Sequence, residues 1–520
     1  MKTQQINNKS FITTIPNLLE VQLNSFCWFL EYGLGEELNK FSSILDLNKN
    51  LEIRIFGHER VFCYPRYTEF QCKKYDVTYA LRVYVAIELL HKIKITGSVA
   101  YFGEIPLMTQ AGTFVVSGCE RIIINQLVRS AGVYYKREIT EDKNYIYRAV
   151  IISNRGSWIQ FELDTENTIW IRLSKTYIIN VYHFFRCINL IPSNIISHFK
   201  LAQILFTSLP NQINKHSLNN KKKWGYIQNR ALQYSALTSL NRNVKKAQML
   251  QIIRKRSNFY SDIEQNLCTL IFDQNYYNLN TVGRLNLNHR LNLTISPSIL
   301  NITLEDLIAL INYLSSLKLG IGISDDIDHL QNKRIKSIGE LLQTQFNVGL
   351  VRLEKTISER LTISNTNLLS AASFINPRSI ISVMKEFFGS SQLSQFMDQT
   401  NPLSGLTHKR RISGLGPGGL SRNHVSFSVR DIHASHYGRI CPIETPEGQN
   451  AGLMASLASY ARINYLGFIE TPFFRLKNGI ICTKSLPIYL TSEQESFISI
   501  APADISINQK KQIIDKIVPA

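Results

Sequence analysis

Thr407-His-Lys-Arg-Arg-Ile-Ser-Gly-Leu-Gly-Pro-Gly-Gly-Leu-Ser-Arg422 is the stretch from which the rest of the chain can be read. Four consecutive His, Lys and Arg positions stand beside a glycine cluster, an arrangement that can bring cationic heads and exposed backbone amides to a phosphate backbone together. The same residues would also suit a solvated basic turn. A nucleotide P-loop is excluded, because no Lys-Ser/Thr pair follows the glycines and Pro417 removes an amide donor. Across residues 400–452, Gly, Pro, His and Arg dominate, so the sequence predicts a long shaped loop system in place of an ordinary helix or strand. Just after the basic segment, Glu444-Thr-Pro-Glu-Gly-Gln-Asn450 puts two carboxylates in a Pro/Gly-shaped turn, where they can orient Arg and Lys side chains or simply pair with them.

Working outward, the chain has 520 residues, enough for three or four domains with sizeable cores. Lys and Arg number 58 against 39 Asp and Glu, a net charge of +19 that points to a polyanionic partner. Apolar residues make up 44% and aromatics 10%, which fits a packed chain and argues against general disorder. No apolar run is long enough for a membrane span, and no export or import signal is visible at the N-terminus. The eight cysteines include no Cys-x-x-Cys pair, which disfavours a disulfide framework or a zinc ribbon and leaves scattered buried thiols.

Apolar spacing over residues 14–35 predicts an amphipathic helix closed by Gly33 and Gly35. Residues 51–133 and 145–179 read as sheet, residues 183–271 as mostly helical, and residues 304–317 and 338–361 as helices. Lys221-Lys-Lys223, Lys245-Lys246 and Arg254-Lys-Arg256 concentrate positive charge, as a solvated helical face or a nucleic-acid contact. His433, His436 and Cys441 could suggest a metal site, but no fourth ligand has standard spacing and hydrogen bonding within a loop is the simpler reading. Asp325-Asp-Ile-Asp-His329 reads as a charged turn at a helix start, its carboxylates paired with Lys333, Arg334 and Lys336. No complete active site is present in the sequence.

Ser390-Ser-Gln-Leu-Ser-Gln-Phe-Met-Asp-Gln399, Asn401-Pro-Leu-Ser404, Thr407–Arg411, Leu415-Gly-Pro-Gly-Gly-Leu420, Val429-Arg-Asp431, His436-Tyr-Gly-Arg439 and Cys441-Pro-Ile-Glu-Thr-Pro-Glu-Gly448 closely resemble the signature blocks of the β subunit of bacterial-type multisubunit RNA polymerase. Upstream, Gly103-Glu-Ile-Pro-Leu-Met108, Gly112-Thr-Phe-Val-Val-Ser-Gly118, Glu120-Arg121, Arg155-Gly-Ser-Trp158 and Asp325–Leu330 continue the resemblance in the same order. Ala131 stands where the family has Pro, and Asn423-His424 replaces a charged pair in the fork loop. Val282-Gly-Arg-Leu-Asn-Leu-Asn-His-Arg-Leu-Asn292 looks like the plastid-type version of its block, and with the AT-rich composition it implies a plastid-encoded chain.

The resemblance implies an α+β, multidomain fold: a discontinuous protrusion-like domain over 1–138 and 338–394, a lobe-like domain over 139–337, fork and RNA-path loops over 395–470, and the start of a following domain over 471–520. It implies that Gln392, Gln395, Phe396, Asp398, His408, Arg411 and Ser413 line the RNA path that is also the rifamycin pocket. Lys409, Arg410 and Arg422 would face DNA at the fork loop, with Glu447, Asn450 and Met454 near the RNA end. No cofactor is expected on this chain, the catalytic Mg²⁺ belonging to the β′ subunit. The chain is expected to be the N-terminal piece of a split β subunit, with a C-terminal β fragment, β′, β″ and α subunits, a σ factor, DNA template and nascent RNA as partners. A stand-alone nucleic-acid-binding protein and a degenerate assembly scaffold are the alternatives.

Overall fold

The computed structural model describes residues 16–41, 43–45, 51–91, 94–139, 144–164, 168–173, 178–181, 184–185, 271–272, 277–363, 371–422, 425–482, 486–502, 505–508 and 512–514. The three basic clusters between Lys221 and Arg256, most of the helical pattern over 183–271, and Asn423 and His424 lie outside these residues. The chain divides into two compact units, one formed by Met1–Val128 with Asp328–Ala520 and the other by Arg129–Ile327.

In the first unit, α1 (Glu20–Trp28) runs through a π-helical turn (Phe29–Gly33) directly into α2 (Leu34–Lys40). The helical run therefore begins later than the sequence suggests and passes through both glycines. The reason is close approach: a Cβ at Gly35 would lie 2.7 Å from an Arg60 guanidinium nitrogen. That guanidinium donates to the carbonyls of Leu30 and Glu31.

Strands β1 (Ser43–Leu45), β2 (Leu51–Cys63), β3 (Ala80–His91) and β4 (Lys94–Pro106) form an antiparallel sheet in chain order. Val83, Val85, Ile87 and Leu89 are buried at the two-residue period of a half-covered strand. Against this sheet lie two helices, labelled α6 (Ile338–Ile363) and α7 (Arg378–Ser390) by chain order. Phe114 meets Phe26 and Phe388 edge-on in this core, with ring centroids 5.5 and 5.0 Å away. Between β2 and β3, α3 (Glu69–Lys74) starts at a Thr68/Gln71 capping box.

Two smaller sheets carry the loop-rich region. One has the order β14-β6-β5, from Phe114–Val116 (β5), Cys119–Ile123 (β6) and Ser394–Phe396 (β14); the other has the order β13-β7-β15-β16, from Asn125–Arg129 (β7), Lys333–Lys336 (β13), Arg411–Ser413 (β15) and Met454–Ser456 (β16). The chain leaves for the second unit after β7 and returns just before β13, and these two strands are neighbours. Further on, β17 (Arg462–Ile463), β18 (Ile469–Phe473) and β21 (Ile488–Thr491) form a third sheet, beside the β19 (Leu476–Lys477) and β20 (Ile480–Ile481) hairpin. Helix α9 (Ser492–Glu495) follows.

The second unit is an antiparallel meander of β8 (Gly132–Ile139), β9 (Tyr145–Ile152), β10 (Ile159–Leu163), β11 (Ile169–Arg172) and β12 (Ile178–Asn180), packed on α4 (Asn280–Leu291) and α5 (Leu304–Lys318). The fully buried Arg284 guanidinium makes two hydrogen bonds to the Asp306 carboxylate, at 2.8 and 2.7 Å, and donates to the carbonyls of Ile299 (2.8 Å) and Asn301. Asp306 also accepts the Thr303 amide at 2.7 Å, so one ion pair fixes both the connection between α4 and α5 and the start of α5.

The Asp325–His329 turn is only partly as the sequence suggests. Asp328 does pair with Lys333 (3.0 Å), but Asp325 pairs with Arg290 (2.8 Å) and Arg334 with Glu340. What starts there is a single 3₁₀ turn, Leu330–Asn332, capped by the His329 ring. No helix among the described residues is long and apolar enough to cross a membrane.

Candidate nucleic-acid interface

Residues 400–452 are less loop-like than their composition suggests. Asn401 and Ser404 form a capping box and Pro402 occupies the first helical position, starting α8 (Pro402–Lys409). The strand β15 follows at once.

Helix α8 carries His408 inward, 5% exposed. Its Nδ1 accepts the Asp398 amide at 3.2 Å, which leaves the proton on Nε2 to be donated to Gln395 Oε1 at 3.1 Å. Burial, and next the nearby Arg411, hold the imidazole below its ordinary pKa, so it is a neutral strut between β14 and the following turn. The exposed Asp398 carboxylate accepts the Thr400 hydroxyl (2.7 Å) and amide (3.1 Å), and these bonds lower its pKa. Phe396 is 62% exposed and opposes Arg121 across the β6/β14 pair, with the guanidinium carbon 4.3 Å from the ring centroid. Gln392 is exposed at the start of this strand region and its carbonyl accepts Gln395 Nε2 at 3.2 Å.

Two of the expected DNA-facing cations are turned inward. Lys409 is 7% exposed, and the carboxylate acting on it is Glu120. Arg410 donates to the carbonyls of Leu18 (2.9 Å) and Ala458 (2.5 Å), tying α8 to neighbouring chain. Lys409 is thus buried near Glu120, and the Arg410 guanidinium is spent on internal carbonyls. Arg422 is exposed, next to Asn423 and His424, which are not among the described residues.

The glycine cluster also differs from the open cradle that its composition suggests. The Gly414 amide donates to Leu453 (2.7 Å), that of Leu415 to Ser413 Oγ (3.2 Å), that of Gly419 to Gly416 (3.0 Å) and that of Leu420 to Gly414 (2.9 Å). Three amides are therefore consumed inside the turn and a fourth by Leu453. Gln126, in register with Ser413 across the parallel β7/β15 pair, donates its amide NH₂ to the carbonyls of Leu415 (3.0 Å) and Pro417 (2.9 Å). A Cβ at Gly419 would meet the Gly414 oxygen at 2.6 Å, so only glycine closes this turn. Gln126 was not singled out from sequence; its signal is an Asn-Gln pair inside the apolar run Ile122–Val128.

Ser413 faces Met454 across the β15/β16 pair and is 4% exposed. Arg411, Glu444, Thr445, Pro446, Met454, Ala455 and Ser456 line a small open cleft of about 80 Å³ beside this pair. Its rim is set by a clasp absent from the sequence reading. Arg430 donates to the carbonyls of Gln449 (2.9 Å) and Ala451 (2.8 Å), while Thr445 Oγ1 donates to Met454 (2.9 Å) and accepts the Gly452 amide (2.9 Å). This fixes the turn that bears exposed Glu447 and half-buried Asn450, whose buried Oδ1 has no hydrogen-bond partner among the described residues.

His433, His436 and Cys441 do not assemble a metal site, and no group of three His, Cys, Asp or Glu residues that could hold a metal ion occurs among the described residues. His433 Nδ1 instead meets the Ser435 hydroxyl (2.7 Å) and amide (3.1 Å). The His433 ring lies 5.2 Å from that of His329 and 6.0 Å from that of His436. Fully buried Arg439 donates to the carbonyls of Ile469 (3.3 Å) and Leu490 (3.1 Å) and to Glu495.

Burial, with Lys333 and His433 nearby, lowers the His436 pKa to about 4, against about 6.5 in an unfolded chain. The folded state then binds fewer protons than the unfolded one, so this contribution to stability is present above about pH 6.5 and lost as pH falls toward 4. The midpoint of thermal unfolding should therefore drop over that window, and His436→Asn should flatten the drop. A variant with an unchanged pH profile would show that this imidazole is not responsible.

Two family models match in chain order: "RNA polymerase Rpb2, domain 2" over residues 129–336 and "RNA polymerase Rpb2, domain 3" over residues 395–463. DNA-directed RNA polymerase subunit beta of Guillardia theta is 44% identical over 97% of this chain and 44% of its own length. The subunit of Rhodomonas salina is 44% identical over 99% of this chain and 45% of its own, and that of Prochlorococcus marinus (strain MIT 9301) 43% over 98% and 45%. The chain spans less than half the length of these relatives. With two polymerase domains in order and this identity along nearly all of its residues, the chain is a homologue of the N-terminal part of the RNA polymerase β subunit.

Proposed function

We propose that the chain acts within a multisubunit DNA-directed RNA polymerase, together with the remaining β sequence, β′ and β″, α subunits and a σ factor, on DNA template and nascent RNA. The observation that carries this is the joined set at the end of the first unit: Gln395, His408 and Asp398 linked by hydrogen bonds, and Ser413 opposite Met454 beside Arg411. In this reading Gln392, Gln395, Phe396, Asp398, His408, Arg411 and Ser413 line the path of the nascent RNA, Glu447, Asn450 and Met454 lie near its end, and Arg422 serves the fork. Lys409 and Arg410 act by holding α8, not by touching DNA.

The second unit, Arg129–Ile327, would be the lobe, since β8 pairs with β9 inside it; the preceding residues with 338–394 would form the protrusion-like domain, 395–470 the fork and RNA-path loops, and 471–520 the start of the next domain. The chemistry is phosphoryl transfer at Mg²⁺ held by β′, with this chain supplying position and electrostatics. Relatives in cyanobacteria, with the plastid-type block at 282–292, support a plastid location.

The test is the drug. A rifamycin should block extension of short transcripts by the purified assembly while sparing the first bond, because these residues lie on the RNA path and not at the metal. Ser413→Leu should relieve inhibition while leaving elongation largely intact, by filling the pocket where a lost polar contact costs about 1–3 kcal/mol. Equal full-length RNA from the wild-type assembly with and without drug would overturn the pocket assignment.

A further inference from the structure

Four aromatic rings stand in solvent within twelve residues of the connection between β2 and β3. Tyr64 is 81% exposed, Phe70 78%, Tyr75 56% and Tyr67 44%. Exposure at this density is not that of loose chain. The capping box fixes the start of α3, Cys72 is 1% exposed beneath it, and the Tyr75 and Val77 amides donate to Gln71 (2.9 Å) and Cys72 (3.0 Å). The rings of Tyr67 and Tyr75 pack on each other with centroids 5.8 Å apart. A built element thus holds large rings outward, against the usual preference for burying them.

The charge between the rings is mainly positive. Arg66, Lys73 and Lys74 are all exposed, and Glu69 is the single carboxylate of the segment. Lys73 reaches Glu120 at 2.8 Å, whereas Arg66 and Lys74 have no carboxylate partner among the described residues. Glu120 also accepts Gln399 Nε2 at 3.0 Å, and Arg121 next to it stacks on exposed Phe396. Lys73 of α3 is therefore joined through Glu120 to the strand β6 whose Arg121 stacks on Phe396, on one unit.

We propose that the Tyr64–Tyr75 segment binds single-stranded nucleic acid, its rings stacking bases and Arg66 and Lys74 meeting phosphates, as an extension of the path that passes Phe396. A single strand is the polyanion whose flat base faces are free to stack; a duplex hides them. The proposal extends the nucleic-acid reading given above, but it is tested on the full chain alone, so its outcome is independent of the drug experiment on the assembly.

The probe is a labelled oligothymidylate of about 20 nucleotides, with a duplex of equal length as comparison. Changing Tyr64, Phe70 and Tyr75 together to Leu keeps apolar bulk but removes stacking, and all three are exposed, so the fold should persist. This variant should bind the oligonucleotide at least about tenfold more weakly with an unchanged salt slope, whereas Tyr64→Phe with Phe70→Tyr and Tyr75→Phe should bind within about twofold. Lys74→Gln should reduce the slope of log K against log salt by about 0.7. Wild-type affinity in the leucine variant, or equal losses for duplex and single strand, would overturn the proposal. So would a leucine variant that keeps oligonucleotide binding while losing association with polymerase subunits, which would make the patch a protein contact.

Discussion

Asp306→Asn should destabilise the 129–327 unit by about 3–5 kcal/mol. Arg284 is fully buried and its four hydrogen bonds go to Asp306 and to the carbonyls of Ile299 and Asn301. Removing the carboxylate charge leaves a guanidinium in the interior with nothing to neutralise it, and weakens the acceptor for the Thr303 amide that starts α5. Replacing both partners, as Arg284→Met with Asp306→Leu, should cost less than either single change, since no lone charge remains. Hydrogen exchange over residues 280–318 would report this locally, without interference from the other unit. Equal protection in wild type and Asp306→Asn would show that the pair is not what holds α4 to α5.

Gly452→Ala should open the turn that carries Glu447 and Asn450. Position 452 has φ +73°, and a Cβ there would lie 2.5 Å from the Arg430 carbonyl oxygen and 2.6 Å from its Cα. Backbone strain alone costs about 1–2 kcal/mol. The overlap with main chain cannot be relieved by turning a side chain, so Arg430 has to retreat and release Gln449 and Ala451. A total of about 2 kcal/mol or more corresponds to roughly thirtyfold faster amide exchange over residues 445–454. Gly418→Ala is the control: its φ is +72°, but nothing lies within 4 Å of the added Cβ, so it bears the strain without the overlap. If both variants exchange alike, the clasp by Arg430 is not a constraint.

What could be read from sequence was whatever is recorded in local period. The alternation of Val83, Val85, Ile87 and Leu89 marks β3, and the spacing of Leu307, Leu310, Ile311 and Leu314 marks α5. The glycines were misread because composition does not say whether glycine ends a helix or makes room for a neighbour. Gly35 makes room for Arg60, a contact between elements. Lys409 and Arg410 were misread for a related reason: a run of cations suggests an anion outside, yet Glu120 and the carbonyls of Leu18 and Ala458 lie within. The Gln126 amide meets a turn 289 residues further along the chain, and no window of local sequence carries that information. Candidate interface residues could be proposed from motif, whereas the hydrogen bonds that set their orientation had to be found in three dimensions.

The adjacency of β7 and β13 bears on how this chain tolerates change. Some two hundred residues leave one sheet and come back to the neighbouring strand of the same sheet. To that sheet the whole excursion is a loop with its ends pinned side by side, and closure entropy rises only with the logarithm of loop length, about 0.6 kcal/mol per doubling. The excursion can therefore gain or lose substructure at little cost to the strands that position Gln126 and Ser413. Natural or engineered chains of very different length between these two strands should share one β13-β7-β15-β16 sheet, with variation in size confined to the cassette it carries.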